Sequence, residues 1–435
     1  MVPFLRSEIV SASASARLSG AKQAWSVDIP FEGRGHSKKI HLMRFVLRSI
    51  FVAALLVLCA DAPVTAQSQH ASNTSVLDDV VVQHQTRKGL DYLYDMRFER
   101  ARRMFELVDE GHPQHPIGPF LLALNTWWEI LIDLSDESRD DEFYAAMDEV
   151  IRRSDRLLAR NKDNFDAWFF KGAALGFRGR LRSNRGDWFR AAKDGIRAMD
   201  YVLGVVRREP DNADYAFGKG IYDYYAAAVP DRYPYVKPVM IFFPNGNRAR
   251  GITELERTVR DGRFIQTEAA YFLLQIYYLF ENDYAKSVYY ADWLRDRHPD
   301  NSFFHTLEGR VYAKWGQWPS VREIFADVLS RYKNRQTGYN AALAEQALYF
   351  LARSHMAESS YDSALQFLDQ LQSLAARDSE ESYFEILGRL RQGMSQDALG
   401  RRNEAIAAYQ DVLTMEDASG SHDRAQRYLE RPFGS

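Results

Sequence analysis

The chain has 435 residues, enough for one large buried core or a long array of small units. Its 56 basic and 59 acidic residues leave a net charge of -3, which gives no global electrostatic case for nucleic acid as a partner. One cysteine excludes a disulfide framework, while 24 Tyr, 26 Phe and 8 Trp make the chain rich in large rings.

In chain order, the first signal starts at Met43. Arg44 and Arg48 precede an apolar run from Ser49 to Leu58 that is too short to span a bilayer, and Val64-Thr65-Ala66 leads into Gln67. This order is that of a secretory signal peptide over 43–66, cut after Ala66. Residues 1–42 are polar, lack apolar periodicity and are expected to be an upstream extension that the mature protein does not carry. Cys59 follows Leu56-Val57-Leu58, which partly resembles a bacterial lipobox. Leu58 stands where that motif has a small residue, so cleavage after Ala66 is favoured over lipid attachment. The expected location is the periplasm or cell envelope. Residues 67–83 read as a flexible lead-in.

From 84 to 431 apolar residues recur at helical spacing, with no alternating strand pattern. Gly89, Tyr92, Ala101, Phe105 and Pro113 follow the order G-x2-Y … A-x3-F … P. Small residues at Gly89 and Ala101 let two antiparallel helices approach, Tyr92 and Phe105 fill the space beside the crossing, and Pro113 ends the second helix. Residues 117–160 fit another helix pair, joined by an acidic turn from Ser135 to Asp141. Trp168 and Gly172 begin a longer pair that closes at Glu209–Asn212. Tyr271, Leu274, Tyr278 and Pro299 mark a further unit. Gly309, Tyr312 and Phe325 mark the next; Ala364 and Leu368, then Gly393, Gly400, Ala405 and Tyr409, mark two more. Residues 423–431 read as a polar capping helix. These positions resemble the tetratricopeptide repeat, and the resemblance covers 84–431. It implies an all-α fold, a solenoid of helical hairpins with one central insert.

That insert, 229–250, lies in the stretch from Gly218 to Val259. It carries Pro230, Pro234, Pro238 and Pro244 and the apolar run Val239–Phe243. Asn247 is placed to cap the following helix, and turn chemistry is favoured over anion binding by Arg248 and Arg250. Gly218 and Gly220 lack the third glycine of a dinucleotide loop, and a close helix crossing explains them better. This combination is similar to a group of exported bacterial tetratricopeptide proteins and, more distantly, to a eukaryotic inclusion-body-clearance family.

No H-E-x-x-H, G-x-S-x-G or cysteine nucleophile occurs, so neither an enzyme nor a cofactor is expected. His112 and His115 are expected in a solvated turn, not on a metal. The acidic run Asp136–Glu142 is expected to be solvated, and the basic run Arg178–Arg185 to form an exposed loop.

The resemblance implies a concave surface built from first-helix side chains and a protein or peptide partner on it. By position, Phe303, Arg310 and Lys314 would present a mixed, basic strip, with Tyr233 and Tyr235 at the insert's rim. Phe272, Ile276 and Leu279 would form an apolar strip, and Phe242 and Phe243 of the insert are expected to fold back over it as a plug in preference to standing out as a wedge. The alternative is a small-molecule or lipid carrier. The insert would then be a lid over Phe272 and Ile276, with Trp127–Trp128 and Tyr222–Tyr225 supplying further aromatic surface.

Overall fold

The computed structural model describes residues 75–134, 136–232, 237, 245–377 and 381–434. The upstream extension, the signal peptide with Cys59, and Tyr233, Tyr235, Phe242 and Phe243 of the insert lie outside the described residues.

Among the described residues every regular element is helical. The chain divides into two compact units, the first ending at Asp300 and the second starting at Asn301. The first unit holds α1 (Val80–Tyr94), α2 (Phe98–Gly111), α3 (Ile117–Ile132), α4 (Asp140–Arg160), α5 (Phe165–Asn184), α6 (Trp188–Arg208), α7 (Ala213–Arg232), α8 (Arg248–Asp261), α9 (Gln266–Gln275) and α10 (Tyr284–Arg297). The second holds α11 (Ser302–Lys314), α12 (Trp318–Lys333), α13 (Ala341–Ala357), α14 (Tyr361–Ala375), α15 (Tyr383–Ala398), α16 (Arg402–Thr414) and α17 (Ser421–Glu430). Many starts are set by short polar caps that satisfy free backbone N–H groups. Asn164 accepts from Ala167 N at 2.8 Å, Asn247 from Arg250 N at 2.9 Å and Asn301 from Phe304 N at 2.9 Å. Ser382 and Glu385 form a capping box on α15.

Within each unit successive helices pack as antiparallel hairpins, and first helices also stack on first helices. In the first unit α1 touches α3, α3 touches α5 and α7 touches α9; in the second α11 touches α13, which touches α15, which touches α17. The crossing is set by a small residue and, sixteen positions later, a ring. A Cβ on Gly89 would collide with the Phe105 ring, one on Gly309 would lie 2.6 Å from Phe325, and one on Gly393 would collide with Tyr409. Gly220 makes the equivalent approach to Leu255 and the Gly251 carbonyl, at 3.1 and 3.2 Å, across the central stretch. Tyr92, expected to fill the space beside the crossing, is only half-buried, under Arg100.

The hairpins that carry Gly89, Gly309, Ala352 and Gly393 at the small position turn through a residue in the left-handed region seven positions later. Met96, Gly316, Ser359 and Gly400 have φ of 59°, 72°, 60° and 75°. The N–H after each returns to a carbonyl five residues back, for example Gln317 to Tyr312 at 3.0 Å. The α9–α10 hairpin departs from this pattern. Gln275 stands at the small position and Ala291 where others carry a ring, and α9 runs into a π-helical turn, Ile276–Glu281. The closing bond, Asp283 N to Tyr277 O at 3.0 Å, therefore spans one residue more, past left-handed Asn282.

Several expectations are corrected. The lead-in is not loose over its described part: a short 3₁₀ turn, Val76–Asp78, precedes α1, and Asp166 accepts from Ser75 Oγ at 2.6 Å and Val76 N at 3.0 Å. His115 is buried, not solvated. Its Nδ1 accepts from Ile117 N at 3.3 Å, which leaves Nε2–H to donate to Asp166 at 3.1 Å. Asp140, in the acidic run, is buried against Arg185 at 2.6 and 2.8 Å. The basic run is helix, not loop, through Asn184. Arg178 is buried and grips Asp194 with two bonds of 2.7 and 2.6 Å, and Arg182 also reaches Asp194. Carboxylates on neighbouring helices thus hold Arg178, Arg182 and Arg185 in ion pairs, while Asp136, Glu137, Asp141 and Glu142 of the acidic run are exposed as expected. Both ends of the expected insert are helical. α7 runs on through Pro230 to Arg232, the missing N–H costing one bond in its last turns, and Arg248–Arg250 open α8.

Candidate functional site

In the second unit the sequence-predicted residues share one helix. Phe303, Arg310 and Lys314 are spaced by seven and four along α11, which places them on one face. All three are half-buried. The Lys314 ammonium lies 4.8 Å from the Trp315 ring centroid. Arg310 Nε is shielded from solvent and has no hydrogen-bond acceptor among the described residues. Arg310 follows the small residue Gly309, and Arg353 follows Ala352 at the same register in the next first helix, α13. Arg353 is fully buried, 5.4 to 5.7 Å from the centroids of Trp318, Tyr349 and Phe350. Arg391 of α15 donates to Tyr349 Oη at 3.0 Å. The first helices of this unit thus carry a file of cations set among rings, where aromatic faces offset part of the cost of taking a guanidinium out of water.

In the first unit Phe272 and Ile276 are core residues, 5% and 0% exposed, and Leu279 is partly buried. The Phe272 ring packs at 5.6 Å on Phe217 of α7, so stacking of first helices buries it. Arg248 and Arg250 hold no free anion site either. Arg250 clasps Asp223 with bonds of 2.6 and 2.7 Å, and Arg248 meets Asp231 at 3.0 Å.

A polar cluster that no sequence motif marks lies deeper in this unit. Tyr94 at the end of α1 donates to Glu268 Oε1 of α9. The Tyr94 ring also meets Trp128 at 5.5 Å and His298 at 5.0 Å. Gln275 Nε2 donates to Tyr271 Oη. The Arg180 guanidinium of α5 lies 4.8 Å from the Trp127 centroid, with Tyr271, Tyr225 and Glu268 around it. Arg180 and Glu268 both keep some accessible surface, yet burial is the largest influence on each. It lowers the Arg180 pKa and pushes Glu268 up to about 7, against the Tyr94 hydrogen bond, which favours the carboxylate. Side chains that remain reachable but are poorly hydrated lie in a recess. No single sequence position marks it, because its members come from α1, α5, α7 and α9. Among the described residues no group of three or more His, Cys, Asp or Glu has a metal-holding arrangement.

Two further contacts tie the same ends together. Arg97 pairs with Asp300 at 3.1 Å, and Arg263 Nη1 donates to Leu77 O at 3.3 Å.

No protein-family model matches the chain, and no curated protein matches it. Solved structures similar to it include the TPR domain of P58(IPK), 15% identical with a TM-score of 0.23, over 81% of this chain and 89% of that one. The APC/C hetero-tetramer Cut9–Hcn1 is similar at 12% identity and a TM-score of 0.23, over 81% of this chain and 90% of that one.

Proposed function

We propose that this chain is an exported scaffold that binds a protein partner, holding an extended acidic segment across the first helices of its second unit. The observation that carries the reading is Arg310. Its Nε is shielded and has no acceptor among the described residues, on a face it shares with Phe303 and Lys314. A guanidinium with spare donors takes a carboxylate with short, charge-assisted bonds, Lys314 adds a second cation one turn on, and Phe303 supplies apolar contact. Arg353 and Arg391 extend the positive field across the stacked helices. Helical-hairpin arrays suit this role because first-helix side chains present one continuous surface to an extended or helical peptide.

A cross-linked pull-down of the tagged mature chain from its native envelope tests this, run beside an Arg310→Glu/Lys314→Glu variant. A partner recovered with the native chain and lost with the variant supports the site. Equal recovery with both removes the site, and recovery from neither removes the scaffold reading. Export is tested by the mass of the purified protein: a chain starting at Gln67 supports it, and an intact Met1 overturns it.

A further inference from the structure

The recess of the first unit, separate from the surface just proposed, has its own chemistry. Tyr225 and Gln275 are 6% and 5% exposed, yet Tyr225 Oη and Gln275 Oε1 have no hydrogen-bond partner among the described residues, and neither has Glu268 Oε2. Leaving buried polar atoms unpaired is costly, so three in one cluster call for an explanation. Arg180, between them, has a ring beneath it and hydroxyls beside it but makes no ion pair among the described residues. The charged and titratable groups that face Glu268 are Tyr94 from α1, Arg180 from α5 and Asp214 from α7. Tyr94 occupies Oε1, so a proton on this carboxyl sits on Oε2 and points a donor into the cluster. With Glu268 protonated, the poorly hydrated Arg180 guanidinium has no counter-charge of its own.

We infer that this recess binds a small organic acid whose carboxylate is flanked by a hydroxyl or amino group. The carboxylate accepts from Arg180 N–H, Tyr225 O–H and Glu268 O–H, and the flanking O–H or N–H donates to Gln275 Oε1. Each orphaned atom then has a partner of the right polarity, and the guanidinium has its counter-charge. The rings of Trp127, Tyr225 and Tyr271 form the walls. Because Glu268 enters as a donor, binding weakens as the pH rises past about 7.

Calorimetric titration of the whole chain with lactate, glycine and acetate, beside chloride at matched ionic strength, tests the proposal. Lactate or glycine is expected to bind saturably, and which of the two binds identifies the flanking group. Acetate, which lacks the second donor, is expected to bind at least tenfold more weakly. Tyr225→Phe removes one hydroxyl and keeps the ring; it is expected to weaken binding at least tenfold with an unchanged thermal melt. Arg180→Met is expected to abolish binding. Saturable binding of none of the acids, or binding untouched by Tyr225→Phe, overturns the proposal and leaves water as the partner of these atoms.

Discussion

Gly393 and Tyr409 meet so closely that the tyrosine ring occupies the space where any side chain on Gly393 would begin. Gly89–Phe105 and Gly309–Phe325 repeat the relationship. Alanine usually strengthens a helix by about 1 kcal/mol over glycine, but here its methyl must displace a buried ring. Gly393→Ala is expected to destabilise the protein by about 1–3 kcal/mol. Adding Tyr409→Leu to make room should recover part of the loss, and chemical denaturation of both variants checks this.

The hairpin turns give predictions of opposite sign at one register. Ser359 is exposed with φ of 60°, a conformation that costs a residue with a Cβ, and Gly400 has φ of 75° in open space. Ser359→Gly is expected to stabilise by about 0.5–1 kcal/mol and Gly400→Ala to destabilise by about 1 kcal/mol. Shifts of thermal midpoint in opposite directions are the expected result.

Two groups near Tyr94 make stability respond to pH in opposite directions. Burial raises Glu268 from 4.5 to about 7, so the fold prefers its protonated form. That contribution is complete below about 4.5 and is lost as the pH rises through about 7. Burial, with Arg297 second, lowers His298 from 6.5 to about 3, so the fold prefers neutral imidazole. That contribution is complete above about 6.5 and is lost as the pH falls toward 3. Between pH 5 and 6.5 the slopes oppose each other in the native chain. Urea midpoints of Glu268→Gln should rise with pH over this range, and those of His298→Gln should fall.

Ion pairs in the chain differ in weight according to depth. Asp194 is 2% exposed and serves Arg178 and Arg182, whereas Arg401 and Asp362 are 46% and 67% exposed. Asp194→Ala removes the buried carboxylate shared by Arg178 and Arg182, leaving Arg178 only its bond to the more exposed Asp148, and is expected to cost about 3 kcal/mol. Asp362→Ala is expected to cost less than about 1 kcal/mol. Similar losses in the two denaturation curves would contradict this ranking.

The hairpins were legible because their signals are local. Glycine and an aromatic sixteen residues apart, with proline or asparagine at the breaks, state a helix crossing within one unit. Met96 and Ser359 hid their turns, since left-handed backbone without glycine leaves no mark in the sequence. The basic run Arg178–Arg185 was misread because its partners, Asp140, Asp148 and Asp194, come from two other helices. The same reason hid the recess around Arg180 and Glu268. Which face of α11 carries Phe303, Arg310 and Lys314 followed from spacing alone, while Arg310's missing acceptor did not.

The bonds from Tyr94 to Glu268, Arg97 to Asp300 and Leu77 to Arg263 join the ends of a chain segment more than two hundred residues long. A linear array of hairpins can nucleate anywhere and lose a terminal repeat at little cost, because each hairpin answers only to its neighbours. Here the first helix waits for the ninth and tenth before its last contacts exist, so loop closure over the whole segment falls late in folding and slows it. The same closure removes the frayed end at which unfolding of an open array begins. This half of the protein is therefore expected to melt as one cooperative block, and deleting or duplicating a hairpin within it is expected to break the contacts between its termini.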